Sequence, residues 1–162
     1  EYVESTGLDN EEIVINVQGD EPLIDIEAVN KLGDFMRANE YKYGTIAQHF
    51  SSNEDLLDPN KVKVIVNDDN SAEEFFRDTP AVVKDFSKVV LHHIGIYAYQ
   101  VNFLNTFSGL SKTENEINLK LEQMRALDNA LPLHVLELSL DKSWGIDTEE
   151  DLIKLRKHLQ LN

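Results

Sequence analysis

The sequence of 162 residues contains no cysteine. That excludes a disulfide framework, a thiolate metal site and a cysteine nucleophile. No apolar run approaches the ~18 residues of a membrane-spanning helix, and no segment has the pattern of a signal peptide. Basic residues are scarce: 15 Lys and Arg stand against 30 Asp and Glu, a net charge of −15. So acidic a surface argues against nucleic acid or an anionic membrane as partner, although it says little about the charge of any one cleft. Internal repeats, linkers and low-complexity tracts are absent too. These absences lead to the expectation of a soluble, cytoplasmic protein with no nucleic-acid partner and no membrane insertion. What is present suffices for one domain with a proper core, 41% of residues being hydrophobic. The first residue is Glu1 rather than Met, so a fragment or processed product of a longer protein is expected.

Local patterns alternate between strand and helix. Ile13-Val14-Ile15-Asn16-Val17 is short, apolar and β-branched, and is expected to form a buried parallel strand. Ser5 to Glu12 reads as its polar lead-in. Asp25 to Asn39 has Ile26, Val29, Leu32 and Met36 at helical spacing, with Asp25 placed to cap. Tyr43 to Phe50 is β-prone. Asn53 to Asn60 is acidic and closes in the turn signal Asp58-Pro59-Asn60. Lys61 to Val66 alternates, with Val62, Val64 and Val66 on one face, and Asn67 to Asn70 reads as a hairpin-like turn into Ala72 to Arg77. Val89 to Tyr99 reads as a long central strand and Asn102 to Phe107 as a short helix. Asn115 to Asn129 reads as one helix with Ile117, Leu121, Met124 and Leu127 on one face. Leu133 to Leu138 is a strand. Thr148-Glu149-Glu150-Asp151 resembles a capping box, with Asp in the Glu place, opening a last helix to Leu159. The alternation predicts a single α/β domain over residues 1–162, three-layered, with a mostly parallel sheet flanked by helices.

Several residues could carry chemistry. Gly19 and Pro22 cannot continue the first strand, so Asp20 falls just past its carboxyl end, where open α/β sheets bind ligands. A carboxylate there suits Mg²⁺ against a nucleotide phosphate, or simply accepts hydrogen bonds in a turn. Asp147, in Gly145-Ile146-Asp147-Thr148, stands directly before a helix; alone it is an ordinary helix-start signal. Arg77 follows Phe75-Phe76 at a strand end, and is either a surface arginine or a bidentate partner for a carboxylate. In His92-His93-Ile94-Gly95-Ile96-Tyr97-Ala98-Tyr99, alternation puts His93, Gly95, Tyr97 and Tyr99 on one face and His92 on the other. Neighbouring histidines that point opposite ways do not make a metal site. Either could equally be a core residue. Glu122 and Gln123, in Leu121-Glu122-Gln123-Met124-Arg125, read as adjacent faces of a helix, which on composition alone are solvated ones.

Together, Gln18-Gly19-Asp20-Glu21-Pro22, Asp58-Pro59-Asn60-Lys61-Val62-Lys63-Val64, His93-Ile94-Gly95-Ile96-Tyr97-Ala98-Tyr99, Leu121-Glu122-Gln123-Met124-Arg125 and Gly145-Ile146-Asp147-Thr148 resemble, in order and over nearly the whole chain, the 3-deoxy-manno-octulosonate cytidylyltransferases (CMP-Kdo synthetases). The resemblance implies a nucleotide-diphospho-sugar transferase-like, Rossmann-like fold. It implies Asp20 and Asp147 as catalytic Mg²⁺ ligands, and Gln18, Arg77, His93, Tyr97, Glu122 and Gln123 as the sugar-binding set. CTP and Kdo would be the substrates, CMP-Kdo and diphosphate the products, lipopolysaccharide assembly the use, and a homodimer the assembly. Two departures stand out. Family members begin with a strand and a Gly-, Arg- and Lys-rich loop that wraps CTP, whereas residues 1–11 contain no basic residue, so the fold is expected to be N-terminally incomplete. The segment after Arg77, Asp78-Thr79-Pro80-Ala81-Val82, lacks the family's Trp and second Arg. A second reading is therefore a non-catalytic acid-sugar-binding or interaction module that has lost the CTP loop.

Overall fold

A computed structural model describes residues 2–19, 23–78, 89–140, 146 and 149–160. The elements run α1 (Tyr2–Thr6), β1 (Ile13–Asn16), α2 (Ile26–Ala38), β2 (Tyr43–Gln48), α3 (Asn53–Leu57), β3 (Lys63–Val66), β4 (Ala72–Phe76), β5 (Val90–Gln100), α4 (Val101–Ser108), α5 (Glu114–Leu119), α6 (Met124–Asp128), β6 (His134–Glu137) and α7 (Glu149–His158). Among the described residues all six strands join one sheet, in the order β4-β3-β5-β2-β6, with β1 also paired to β5. The longest strand, β5, spans two partners along one side: β3 opposite residues 90–92 and β1 opposite residues 97–100. Its other side is occupied by β2.

The α/β class holds, with a correction to the sheet. Among the described residues only β2 and β6 pair in parallel; β5 runs against β1, β2 and β3, and β4 against β3. Four strands, β1, β2, β3 and β6, share one direction, so the expectation of a mostly parallel sheet holds for strand direction and fails for the ladders. The cause is β5, which passes the opposite way through the middle. For the same reason β1 is antiparallel rather than parallel, and its residues Ile13 to Ile15 are half-buried rather than buried.

Alternation along β5 sorts the core into two layers. Ile94, Ile96 and Ala98 meet Ile46 and the α2 residues Ala28, Leu32 and Met36. Leu91, Tyr97 and Tyr99 meet Tyr43, Phe75, Phe103 and Phe107 of α4, and Met124 and Ala126 of α6. On the first face α2 comes very close: a Cβ at Gly44 would lie 2.5 Å from Met36 Sδ, so a side chain there would displace the helix packing. Asp25 caps α2 as expected, its carboxylate accepting from the amides of Glu27 (2.8 Å) and Ala28 (3.3 Å). Ile26, expected on the core face, is 71% exposed, because Ala28 sets the rotation of the helix.

Three local expectations are corrected. The single helix over Asn115 to Asn129 is two short ones, because Lys120 takes the left-handed conformation (φ 54°, ψ 45°) and ends α5. Ile117 is consequently 60% exposed while Leu121 and Met124 reach the core. The acidic stretch after Ser52 forms α3, capped by Ser52 Oγ accepting from the Asp55 amide at 3.1 Å. The polar lead-in contains α1. The capping box at Thr148 lies outside the described residues, although α7 follows where the last helix is expected.

Candidate active site

The register between β2 and β5 shifts in mid-strand. Thr45 faces Tyr97, but the next residue, Ile46, faces Ile94, so Gly95 and Ile96 form a bulge. Bulges re-aim side chains. This one lies between the two residues of β5 that the sequence singles out, His93 and Tyr97, which share the α4–α6 face as alternation requires.

His93 is buried. Its ring meets Phe75 edge-on at 5.2 Å and lies 5.3 Å from Tyr97. Its Nε2 is 2.9 Å from the hydroxyl of Thr45, which is itself fully buried. Tyr97 donates its hydroxyl to Gln123 Oε1 at 3.2 Å. Gln123 is only 2% exposed, and its Nε2 finds no hydrogen-bond partner among the described residues. A buried amide donor without a partner is costly, so such a group is a place to look for a ligand.

Arg77 sits just past β4. Its Nε donates to Leu119 O at 3.1 Å and its Nη1 to Pro59 O at 3.5 Å. Arg77 thereby ties the end of α5 to β4, next to the left-handed turn that leads to Glu122 and Gln123. Its own carbonyl accepts from Lys63 Nζ (2.7 Å), a buried lysine that also donates to Asp58 O (2.5 Å). Gln18 is exposed and lies over the bulge: a Cβ at Gly95 would be 3.3 Å from its side-chain amide. The expectation that Glu122 and Gln123 occupy adjacent helix faces is corrected. Both precede α6; Gln123 is buried, and Glu122 is exposed and accepts from Arg125 at 3.2 Å. Asp20 and Asp147 lie outside the described residues.

The buried part of this cluster is electrically neutral. Burial, aided by neighbouring His92, pushes the His93 pKa down to about 3, so the ring is uncharged at neutral pH. Burial raises the Tyr97 phenol, and pushes that of Tyr99 up to about 12. Uncharged hydroxyl, imidazole and amide groups, bordered by the Arg77 cation and the Glu122 carboxylate, can form hydrogen bonds with a polyhydroxylated acid. Among the described residues no three His, Asp or Glu side chains converge as a metal site.

Three residues of the cluster escaped the reading of the sequence. Thr45 could have been suspected as a small polar side chain amid the aromatic and apolar residues of the run Tyr43 to Ala47. Glu116 and Arg125 form a buried bidentate pair, with Arg125 Nε and Nη2 donating to Glu116 at 2.7 and 2.6 Å, and Arg125 also lies over the Phe107 ring. Their spacing of nine carries no helical signal, because the chain breaks at Lys120 between them.

Comparison with known proteins accords with this geometry. The family model described as "Cytidylyltransferase" matches residues 1–137. A 3-deoxy-manno-octulosonate cytidylyltransferase of Thermodesulfovibrio yellowstonii is 40% identical, over 92% of this chain and 61% of its own length. The protein of that name in Ruthia magnifica is 33% identical, over 98% of this chain and 67% of its own length. The chain thus spans about two thirds or less of the length of these relatives. Among solved structures, a CMP:2-keto-3-deoxy-manno-octonic acid synthetase in complex with CTP superposes with a TM-score of 0.82 at 30% identity, covering 98% of this chain and 66% of that one. Sequence and fold agree, and the chain belongs to the cytidylyltransferase family, among the 3-deoxy-manno-octulosonate cytidylyltransferases.

Proposed function

We propose that the protein transfers CMP from CTP to 3-deoxy-D-manno-octulosonate, giving CMP-Kdo and diphosphate. The anomeric hydroxyl of the sugar attacks the α-phosphorus of CTP and diphosphate leaves. The observation that supports this reading is the contact of His93, Tyr97 and Gln123, from two separate blocks of sequence, beside a buried amide without a partner among the described residues, with Arg77 held at the end of α5 just before the turn that leads to Gln123. Arg77 pairs with the sugar carboxylate through N–H groups other than the two holding Leu119 and Pro59. Gln123, His93, Gln18 and Glu122 hold hydroxyl groups, and Tyr97 keeps Gln123 in place. Holding the two substrates in line is itself a large part of such catalysis.

Asp20 and Asp147 are proposed to hold Mg²⁺, whose usual complement of one or two carboxylates they match. When bound, it would supply charge neutralisation at the phosphates. The family resemblance of the sequence further implies a place in lipopolysaccharide assembly. Cytoplasmic location and a homodimer complete the proposal. No helix among the described residues is long and apolar enough to cross a membrane. The reading as a non-catalytic sugar-binding module is not favoured by the relatives, which are named as transferases.

The test is diphosphate release by the purified protein with CTP, Mg²⁺ and Kdo. Kdo-dependent release is expected, with a loss of orders of magnitude in Asp20→Ala and Asp147→Ala while the fold is kept. Sugar binding without turnover, unchanged in both variants, would favour the binding module instead.

A further inference from the structure

Thr45 Oγ1 has three polar neighbours: His93 Nε2 at 2.9 Å, Ile96 O at 2.8 Å and Ile94 O at 3.2 Å. Two are carbonyl oxygens, which can only accept. The hydroxyl has a single proton. If that proton went to His93, the hydroxyl oxygen would face Ile96 O at 2.8 Å with no proton between them, lone pair against lone pair. The proton therefore goes to a carbonyl, and Thr45 accepts from the imidazole.

We propose that Thr45 is a positioning residue that fixes the tautomer of His93, with the proton on Nε2, so that Nδ1 is the acceptor atom of the ring and takes a sugar hydroxyl rather than the sugar carboxylate. The bulge makes this possible. The register shift at Thr45/Ile46 brings the carbonyls of both Ile94 and Ile96 to one hydroxyl. A regular ladder would not present two carbonyls of one strand to one side chain. The low basicity of the buried ring agrees, since a cationic imidazolium would have no acceptor nitrogen. A neutral acceptor repels a carboxylate, which leaves the acid group of the ligand to Arg77. The clause about the sugar rests on the proposed function; the tautomer does not.

Two measurements separate them. Long-range ¹H–¹⁵N correlation of the histidine rings in the protein at pH 7, with His93 assigned by its loss in His93→Gln, reports the tautomer directly. The proton is expected on Nε2 in the wild type and in Thr45→Ser, with a mixture in Thr45→Val. A proton on Nδ1 in the wild type overturns the proposal, as does a Thr45→Val spectrum identical to it. The wild-type spectrum needs no variant, so misfolding of Thr45→Val cannot shield the proposal. In steady-state turnover, Thr45→Val should raise KM for Kdo about tenfold, the scale of one net hydrogen bond, with KM for CTP unchanged and Thr45→Ser restoring the wild-type value. Equal KM values in all three overturn the hydroxyl role. A wild type that does not use Kdo overturns the proposed function and the sugar clause with it, while the spectrum still decides the tautomer.

Discussion

The two faces of β5 are built by different chemistry. On the α2 face, Ile94, Ile96 and Ala98 meet Ile46, Leu32 and Met36 in an apolar cluster, and the buried Lys63 and half-buried His92 lie apart from it at the β3 end of β5. On the other face, aromatic rings are interleaved with buried polar groups: Thr45, His93, Gln123 and the Glu116–Arg125 pair. Apolar packing depends on volume and is non-directional. Polar burial is tolerated only when partners are placed to hydrogen-bond distance. The first face accordingly supplies stability, and the second supplies position. One buried amide on the second face, that of Gln123, is left without a partner on one side among the described residues, and there the molecule departs from what stability alone would favour.

Leu32→Ala should show the largest effect. Its side chain is fully buried, and a loss of about 3–4 kcal/mol in denaturant unfolding is expected for such a cavity, with KM for Kdo unchanged in the protein that remains folded. Equal damage to sugar binding would erase the distinction between the faces.

Arg125→Ala comes next. It strands the buried Glu116 carboxylate, and a loss of about 3 kcal/mol is expected, the lower end for a broken buried pair, because this one lies just beneath the surface. The pair also has a pH signature. The hydrogen bond and charge of Arg125 hold the Glu116 carboxyl below the ordinary glutamate range. Its contribution is therefore complete above the unfolded glutamate pKa of about 4.3, and is lost as pH falls through the lowered native value. Unfolding midpoints measured from pH 7 down to 3 should fall more steeply in the wild type than in Arg125→Ala. Parallel curves would contradict the pairing.

Gln123→Leu sharpens the comparison from the other side. It removes the unpartnered amide at nearly constant volume. A drop of about a hundredfold in kcat/KM for Kdo is expected, the scale of two lost hydrogen bonds, with an unfolding cost of no more than about 1 kcal/mol, because the gain from removing the unpartnered amide offsets much of the cost of leaving the buried Tyr97 hydroxyl without its acceptor. Stability lost in proportion would make Gln123 a structural residue. The smallest effect belongs to Met36→Leu, which keeps volume on the apolar face and should cost no more than about 1 kcal/mol, measured by thermal melting.

The sequence was most legible where one period ran through a whole element. The alternation of β5 placed His93 and Tyr97 on one face, and the Asp25 cap placed the start of α2. Strand direction was not legible, because a strand reads the same whichever way its neighbours run, and β5 reverses most of the ladders. Nor was the break at Lys120: Ile117, Leu121 and Met124 keep helical spacing across a residue that is not helical. That break is what buries Gln123 and exposes Glu122, so the local geometry of the site depended on a left-handed residue with no glycine to announce it. Thr45 was hidden for a different reason. Its role comes from a register shift between strands distant in sequence, and no single segment records it.

The most direct test of the claim that the polar face is an acid-sugar site is the diphosphate-release assay at saturating CTP with Kdo varied, run on the wild type and Gln123→Leu side by side. The account predicts Kdo-dependent release by the wild type and a loss of about a hundredfold in kcat/KM for Kdo in the variant, with an unfolding cost of no more than about 1 kcal/mol. Equal kcat/KM in the two proteins, or no Kdo-dependent release from folded wild type, would contradict it.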